Sequence, residues 1–179
     1  MGKDHGVPRH PPSGVESPAV VVARSPIFAK LNLKDQTSIV VLNGPASFEA
    51  ELVTLQNVEI HRAVPTSETP GEVDFAIGFT TTQAEVDNAA TAVAATMTGD
   101  GILWLAYPKG SSKHYTCEFN RDTGWARLGD LGFEPVRQVA IDADWSALRF
   151  RRVEFIKSLT RATALSPRGR ARVAKPTAG

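Results

Sequence analysis

Residues 131–152 read LGFEPVRQVAIDADWSALRFRR, and this stretch decides the fold. Residues 133–141 read as a strand after the stop at Gly132, and residues 145–152 alternate apolar with polar side chains, so two strands are predicted. Only Asp142, Ala143 and Asp144 separate them. A parallel crossover needs a dozen or more residues, so the two strands must pair antiparallel. Asp142 and Asp144 then read as turn residues, because short polar side chains bond the backbone of a tight connection. Reading them as a carboxylate pair for acid–base work finds no His or nucleophile placed beside them by sequence.

Upstream of this hairpin the pattern alternates strand with helix. TSIVVLN (37–43) and GILWLAY (101–107) contain apolar runs suited to strands buried on both faces. Residues 58–63 and 73–79 supply two more strands. Helices are predicted over 26–31 behind Ser25-Pro26, over 46–55, over 83–97 with Thr82 or a neighbour as cap, and over 120–131. A further helix is expected over 154–163. Strand–helix alternation implies right-handed βαβ units. The predicted fold is α/β, a three-layer, Rossmann-like, doubly wound and mostly parallel six-stranded sheet with a C-terminal antiparallel hairpin strand. The strand order predicted is 2-1-3-4-6-5, with only the strand at Trp145 antiparallel.

Outside the pattern lie two ends of different composition. Residues 1–24 hold Pro8, Pro11, Pro12 and Pro18 among Gly, Ser and His, and read as disordered. The domain is expected over 25–161, and residues 162–179 read as a basic flexible tail, mobile beyond Ser166. Residues 36–148 carry 15 acidic and 6 basic side chains, whereas residues 149–179 carry 9 basic and one acidic, Glu154. Such a tail can rest on the acidic body, meet a partner, or contact nucleic acid through phosphates. No apolar run is long enough to span a membrane, and no secretory pattern opens the chain. The single cysteine, Cys117, fits a reducing cytoplasm.

The segments GILWLAYPKGSSK (101–113), CEFNRDTGW (117–125), LGFEPVRQVAIDADWSALRF (131–150) and RRVEFIKSLTR (151–161) resemble a family of short bacterial proteins of unknown function. The likeness covers roughly residues 25–161. It implies a pared-down Rossmann domain similar to the class I methyltransferase fold, and no established activity.

In open parallel sheets ligands bind outside the carboxyl ends of the strands, near the switch in strand order. That rule selects Asn43 and Gly44, Thr80 and Thr81, Tyr107, Lys109, and the loop with Ser111, Ser112 and Lys113. Arg121 joins them as a fork for an anion. The turn LNGPAS (42–47) holds one glycine, and Pro45 removes a donor N–H. No cofactor is therefore expected, and S-adenosylmethionine is not expected to bind in the usual mode. Neither phosphate-loop pattern is present. His5, His10, His61 and His114 share no metal-ligand spacing with each other or with Cys117, so no metal is expected. Trp104, Trp125 and Trp145 read as core or hairpin anchors. The expected function is a non-catalytic Rossmann-like module binding a protein partner or a small anion at the strand ends. A divergent S-adenosylmethionine-dependent methyltransferase-like enzyme, and nucleic-acid association through the basic tail, are the alternatives.

Overall fold

In the computed structural model, residues 24–68, 71–159 and 163–174 are described. Six strands form one sheet in the order β2-β1-β3-β4-β6-β5. They are β1 (Ser38–Leu42), β2 (Glu59–His61), β3 (Phe75–Phe79), β4 (Ile102–Pro108), β5 (Phe133–Ala140) and β6 (Trp145–Arg152). The pairs β1–β2, β1–β3 and β3–β4 are parallel, whereas β6 runs antiparallel to both β4 and β5. Order and direction are those predicted. The link 142–144 turns as its aspartate dictates: Asp142 Oδ1 accepts the amides of Asp144 and Trp145, both at 2.8 Å.

Two cores flank the sheet. On one face α1 (Pro26–Lys30) and α2 (Ala46–Leu52) lay Ile27, Phe28, Phe48 and Leu52 on Ile39, Val41, Ile77, Phe79 and Trp104. The indole of Trp104, fully buried, donates to the Leu31 carbonyl at 2.8 Å and pins α1 to mid-sheet. On the other face α3 (Gln83–Thr96) and α4 (Ala126–Asp130) pack Val86, Ala90, Val93 and Leu128 on Val40, Ala76, Leu103, Leu105 and Phe150. The small alanines of α3 allow close approach: a Cβ on Gly78 would already stand 3.6 Å from that of Ala89. All three tryptophans are buried, as expected of anchors.

Three expectations are corrected. The helix over 120–131 forms only over Ala126–Asp130. Asn120 instead builds a turn, its Oδ1 accepting the Asp122 amide at 2.8 Å, while Gly124 takes φ 92° and the Trp125 indole donates to the carbonyls of Asn120 and Arg121. After β6 the chain makes a single 3-10 turn, Val153–Phe155, rather than the longer helix expected over 154–163. The third concerns the basic tail. Pro167–Ala174 is a helix, α5, docked on the body rather than mobile. Its anchor is Glu134 of β5, 2% exposed, which accepts the Leu165 amide at 2.8 Å, the Ser166 amide at 2.7 Å and the Ser166 hydroxyl at 2.6 Å. Arg172 donates to the carbonyls of Val153 and Lys157, holding the helix across the turn after β6. Residues 1–23, most of the segment read as disordered, lie outside the described residues, as do 160–162 and 175–179. Among the described residues no helix is long and apolar enough to cross a membrane.

Candidate functional site

The switch in strand order falls between β1 and β3, where the turns after those strands meet. Asn43 ends β1 with φ 54°, and its amide reaches to 3.5 Å from the Phe79 carbonyl at the end of β3. Asn rather than Gly44 thus adopts the left-handed conformation that Asn tolerates. Gly44 serves close packing: a Cβ there would meet Val41 and Glu49 at 3.2 Å. Glu49, in the first turn of α2, forms a two-pronged ion pair with Arg62 beyond β2, both oxygens at 2.6 Å. Thr80 is fully buried and its hydroxyl donates to the Ala106 carbonyl at 3.0 Å, stitching β3 to β4.

The N-terminus of α3 is occupied by the chain's own carboxylates. Glu85 Oε2 accepts the Thr81 amide at 2.6 Å, the Thr82 amide at 3.1 Å and the Thr81 hydroxyl at 3.2 Å. Glu118 Oε2 accepts the Gln83 amide at 2.7 Å. Burial opposes ionisation of Glu85, but these bonds outweigh it and hold its carboxyl below the usual range. Helix N-termini are natural anion sites because their first amides lack partners. Here the amides of Thr82, Gln83 and Glu85 are engaged from within.

A nucleoside-bearing cofactor such as S-adenosylmethionine, which a methyltransferase-like fold implies, would need donors in this crevice for its ribose and its carboxylate. Pro45 offers no N–H, the amides of Thr82, Gln83 and Glu85 are engaged, and the Glu49–Arg62 pair stands beside Gly44. The residues present do not fit that group in the usual mode.

A second place on the same edge is open. Beyond β4 a depression of about 600 Å³ is lined by Tyr107, Lys109, Ser112, Tyr115, Cys117, Phe119, Asn120, Arg121, Gln138 and Ser146, among others. Four residues that sequence reasoning selected, Tyr107, Lys109, Ser112 and Arg121, come together here. Ser111 and Lys113 are exposed on the same loop and do not line the depression. Asn43, Gly44, Thr80 and Thr81 belong to the closed crevice.

Within the depression each polar group has a distinct state. Tyr107 is 5% exposed, and its hydroxyl accepts from Gln138 Nε2 at 3.0 Å. Burial raises the phenol above its ordinary value, with the Arg121 charge opposing. Phe119 and Trp125 flank its ring, the latter edge-on with centroids 5.7 Å apart. Lys109 is committed to structure: its amide donates to Asp144 O at 2.7 Å and its ammonium to Asp142 O at 2.5 Å, tying the end of β4 to the hairpin turn. Ser112 donates to Asp144 Oδ1 at 2.7 Å, and His114 Nδ1 lies 3.0 Å from Oδ2. The serine hydroxyl first, then His114, hold the Asp144 carboxyl below its usual range. Arg121 is exposed, and the ion pair it makes, with neighbouring Asp122, is loose at 3.9 Å. It is the cation with donors available. Burial pushes the Cys117 thiol up, which keeps it protonated and poorly nucleophilic.

No family model matches the chain, and no curated protein matches it. Among solved structures it is similar to the pyocyanin biosynthetic protein PhzM, at 14% identity and TM-score 0.45, with 68% of this chain and 52% of that one covered. It is similar also to the N-methyltransferase NodS from Bradyrhizobium japonicum, at 11% identity and TM-score 0.46, covering 70% and 92%. A third is a SAM-dependent methyltransferase from Aquifex aeolicus, at 12% identity and TM-score 0.48, covering 71% and 88%. The chain spans about half the length of PhzM. At these identities the likeness describes the fold alone.

Sequence reasoning missed Gln138, Tyr115 and Ser146. The first and last lie on β5 and β6, beyond the strand whose carboxyl end was searched, and antiparallel pairing returns them to it. The register shift between Pro135 and Arg137 brings Gln138 to the face of Phe133, where plain alternation along β5 would not put it, so the sequence carried no signal for it. Among the described residues no group of three or more His, Cys, Asp or Glu side chains comes together in a way that could hold a metal ion.

Proposed function

We propose that this chain is a ligand-binding Rossmann-like module whose site is the depression at the end of β4, and that its ligand is a small molecule bearing a carboxylate or phosphate. One observation carries the reading. A buried tyrosine, Tyr107, has its hydroxyl fixed by Gln138 on the floor of an open depression, beside Arg121, whose guanidinium has only a loose partner. A polar group fixed in an apolar surround with an available cation is what orients a small anion. The aromatic walls, Phe119 and Tyr115, suit a ligand with a flat or apolar body. The hydroxyl of Ser112 is spent on Asp144 of the hairpin link and burial pushes the Cys117 thiol up, so binding rather than turnover is the reading.

The test is a thermal-shift screen of small carboxylates and phosphates against the full chain, followed by calorimetry. A ligand at about 100 times its Kd adds roughly 2.7 kcal/mol of stability. That gain should fall sharply in Arg121→Gln and in Tyr107→Phe. A hit that is indifferent to both variants would remove the reading. The methyltransferase reading is favoured by the switch between β1 and β3. Micromolar binding of S-adenosylmethionine that survives Arg121→Gln would establish it in place of ours.

A further inference from the structure

Arg137 on β5 and Arg149 on β6 stand directly opposite each other in the antiparallel ladder. Directly opposed residues share a face and lie close at Cβ, so two like charges here repel. The carboxylates around them are engaged elsewhere. Asp100 holds Arg151 in a two-pronged pair. Glu134, which faces Arg151 in the ladder, holds the amides before α5. The arginines paired with carboxylates among the described residues are Arg62, Arg121 and Arg151. Arg149 Nε is buried and has no hydrogen-bond partner. A buried donor left unmade is the kind of group that demands an explanation. Burial first, then the charges of Arg151 and Arg137, push its guanidinium below the ordinary value, with Asp100 opposing.

We propose that the Arg137–Arg149 pair is a binding site for a compact phosphate-bearing dianion. Two adjacent guanidinium groups offer donors to a single tetrahedral oxyanion, whose charge would turn the repulsion into attraction. The site is not the depression at Tyr107. Arg149 pairs with Trp104, whose side chain lies in the core under α1, whereas Tyr107 lies in the core under α3, on the opposite face. A compact ligand fits better than a nucleic-acid strand, because a strand needs a track of available cations. Arg151 is neutralised by Asp100, and Arg170 and Arg172 donate to backbone carbonyls.

The experiment uses inorganic phosphate as probe on the full chain. Melting midpoints are measured in phosphate and in chloride at equal ionic strength, for the wild type, Arg137→Gln and Arg149→Gln. Arg137 is exposed, so its variant should fold. Phosphate should raise the wild-type midpoint, by about 5–10 °C near 100 times its Kd. Arg137→Gln should lose that rise, and in chloride should melt above the wild type because the repulsion is relieved. The series is run on an Arg121→Gln background, which removes the cation of the Tyr107 depression, so phosphate held there does not enter the comparison. Equal wild-type midpoints in the two salts would overturn the proposal, as would a phosphate effect that persists in Arg137→Gln. A single-stranded oligonucleotide forms a second arm. Tighter binding of it than of phosphate, lost in Arg137→Gln, would overturn the choice of a compact ligand.

Discussion

Gly169 sits beneath the carboxylate of Glu134. A Cβ built there would meet Glu134 Oε1 at 2.3 Å and Ser166 Oγ at 2.8 Å. Glycine inside an exposed helix normally costs about 1 kcal/mol relative to alanine, so Gly→Ala usually stabilises. Here the sign reverses, because the methyl group would push apart the buried bonds that dock α5. Gly169→Ala should lose about 1–3 kcal/mol, the range for overpacking a tight site, read as a lower midpoint in urea with an unchanged slope. Gly129 faces the same segment, with Leu165 O 2.5 Å from a built Cβ. Two glycines far apart in sequence thus clear room for one short stretch of chain. Neither is in a motif, so their purpose was not legible from residue type. At the candidate site Lys109 shows the same limit: a lysine in a polar loop reads as a cation for a ligand, until its ammonium is found on the Asp142 carbonyl.

At the scale of elements, α3 shows how the switch-point crevice closes. Thr82 accepts the Glu85 amide and Glu85 reaches back to the Thr82 amide, a reciprocal capping box. Thr82 was readable as a start signal, and the helix begins where it places it. The part contributed by Glu118 was not readable, since it comes from 35 residues downstream. Glu85→Ala removes the acceptor for two amides and one hydroxyl. It should cost about 1–2 kcal/mol, the upper range for a lost cap, measured by denaturant unfolding. Tyr107 ligand binding should be untouched, because the depression lies beyond β4 and not at this helix. The β5–β6 hairpin is the other element that matters. It carries Gln138 to the depression on one face and Arg137 to Arg149 on the other, which the period-2 alternation of a strand makes unavoidable.

For the whole molecule the question is what the basic C-terminal part does. If it merely rested on an acidic body, deleting it would change stability slightly, and salt would screen the effect. The contacts are of another kind: a buried carboxylate with three donors, and arginines clamped on backbone carbonyls. Truncation before Leu165 should therefore lower stability by about 4 kcal/mol or more, since three hydrogen bonds to a charged group are lost and each is worth about 1.5–3. The loss should be much the same at low and at high salt, because the Glu134 carboxylate and its bonds to Ser166 are buried. Glu134→Gln in the full chain should show part of that loss, with faster proteolysis around the segment leading into α5. A truncated chain of wild-type stability would return α5 to the status of a loose tail.

The sequence by itself determined the sheet. Apolar runs, their spacing and a three-residue link fixed the number of strands, their order and the one antiparallel direction, because chirality and crossover length leave few alternatives. It also determined the cap of α3 and the burial of the three tryptophans, since both follow from local residue chemistry. Only the tertiary structure decided which polar groups are available and which are engaged. Lys109, Thr80 and Thr81 were selected by position and turned out to hold the framework, while Gln138 and the opposed pair Arg137–Arg149 emerged from strand register. It also decided that residues 167–174 form a docked helix, because the acceptor that orders them, Glu134, lies on another element. Local pattern fixes what repeats along the chain, whereas a hydrogen-bond partner distant in sequence is known only once the chain has folded.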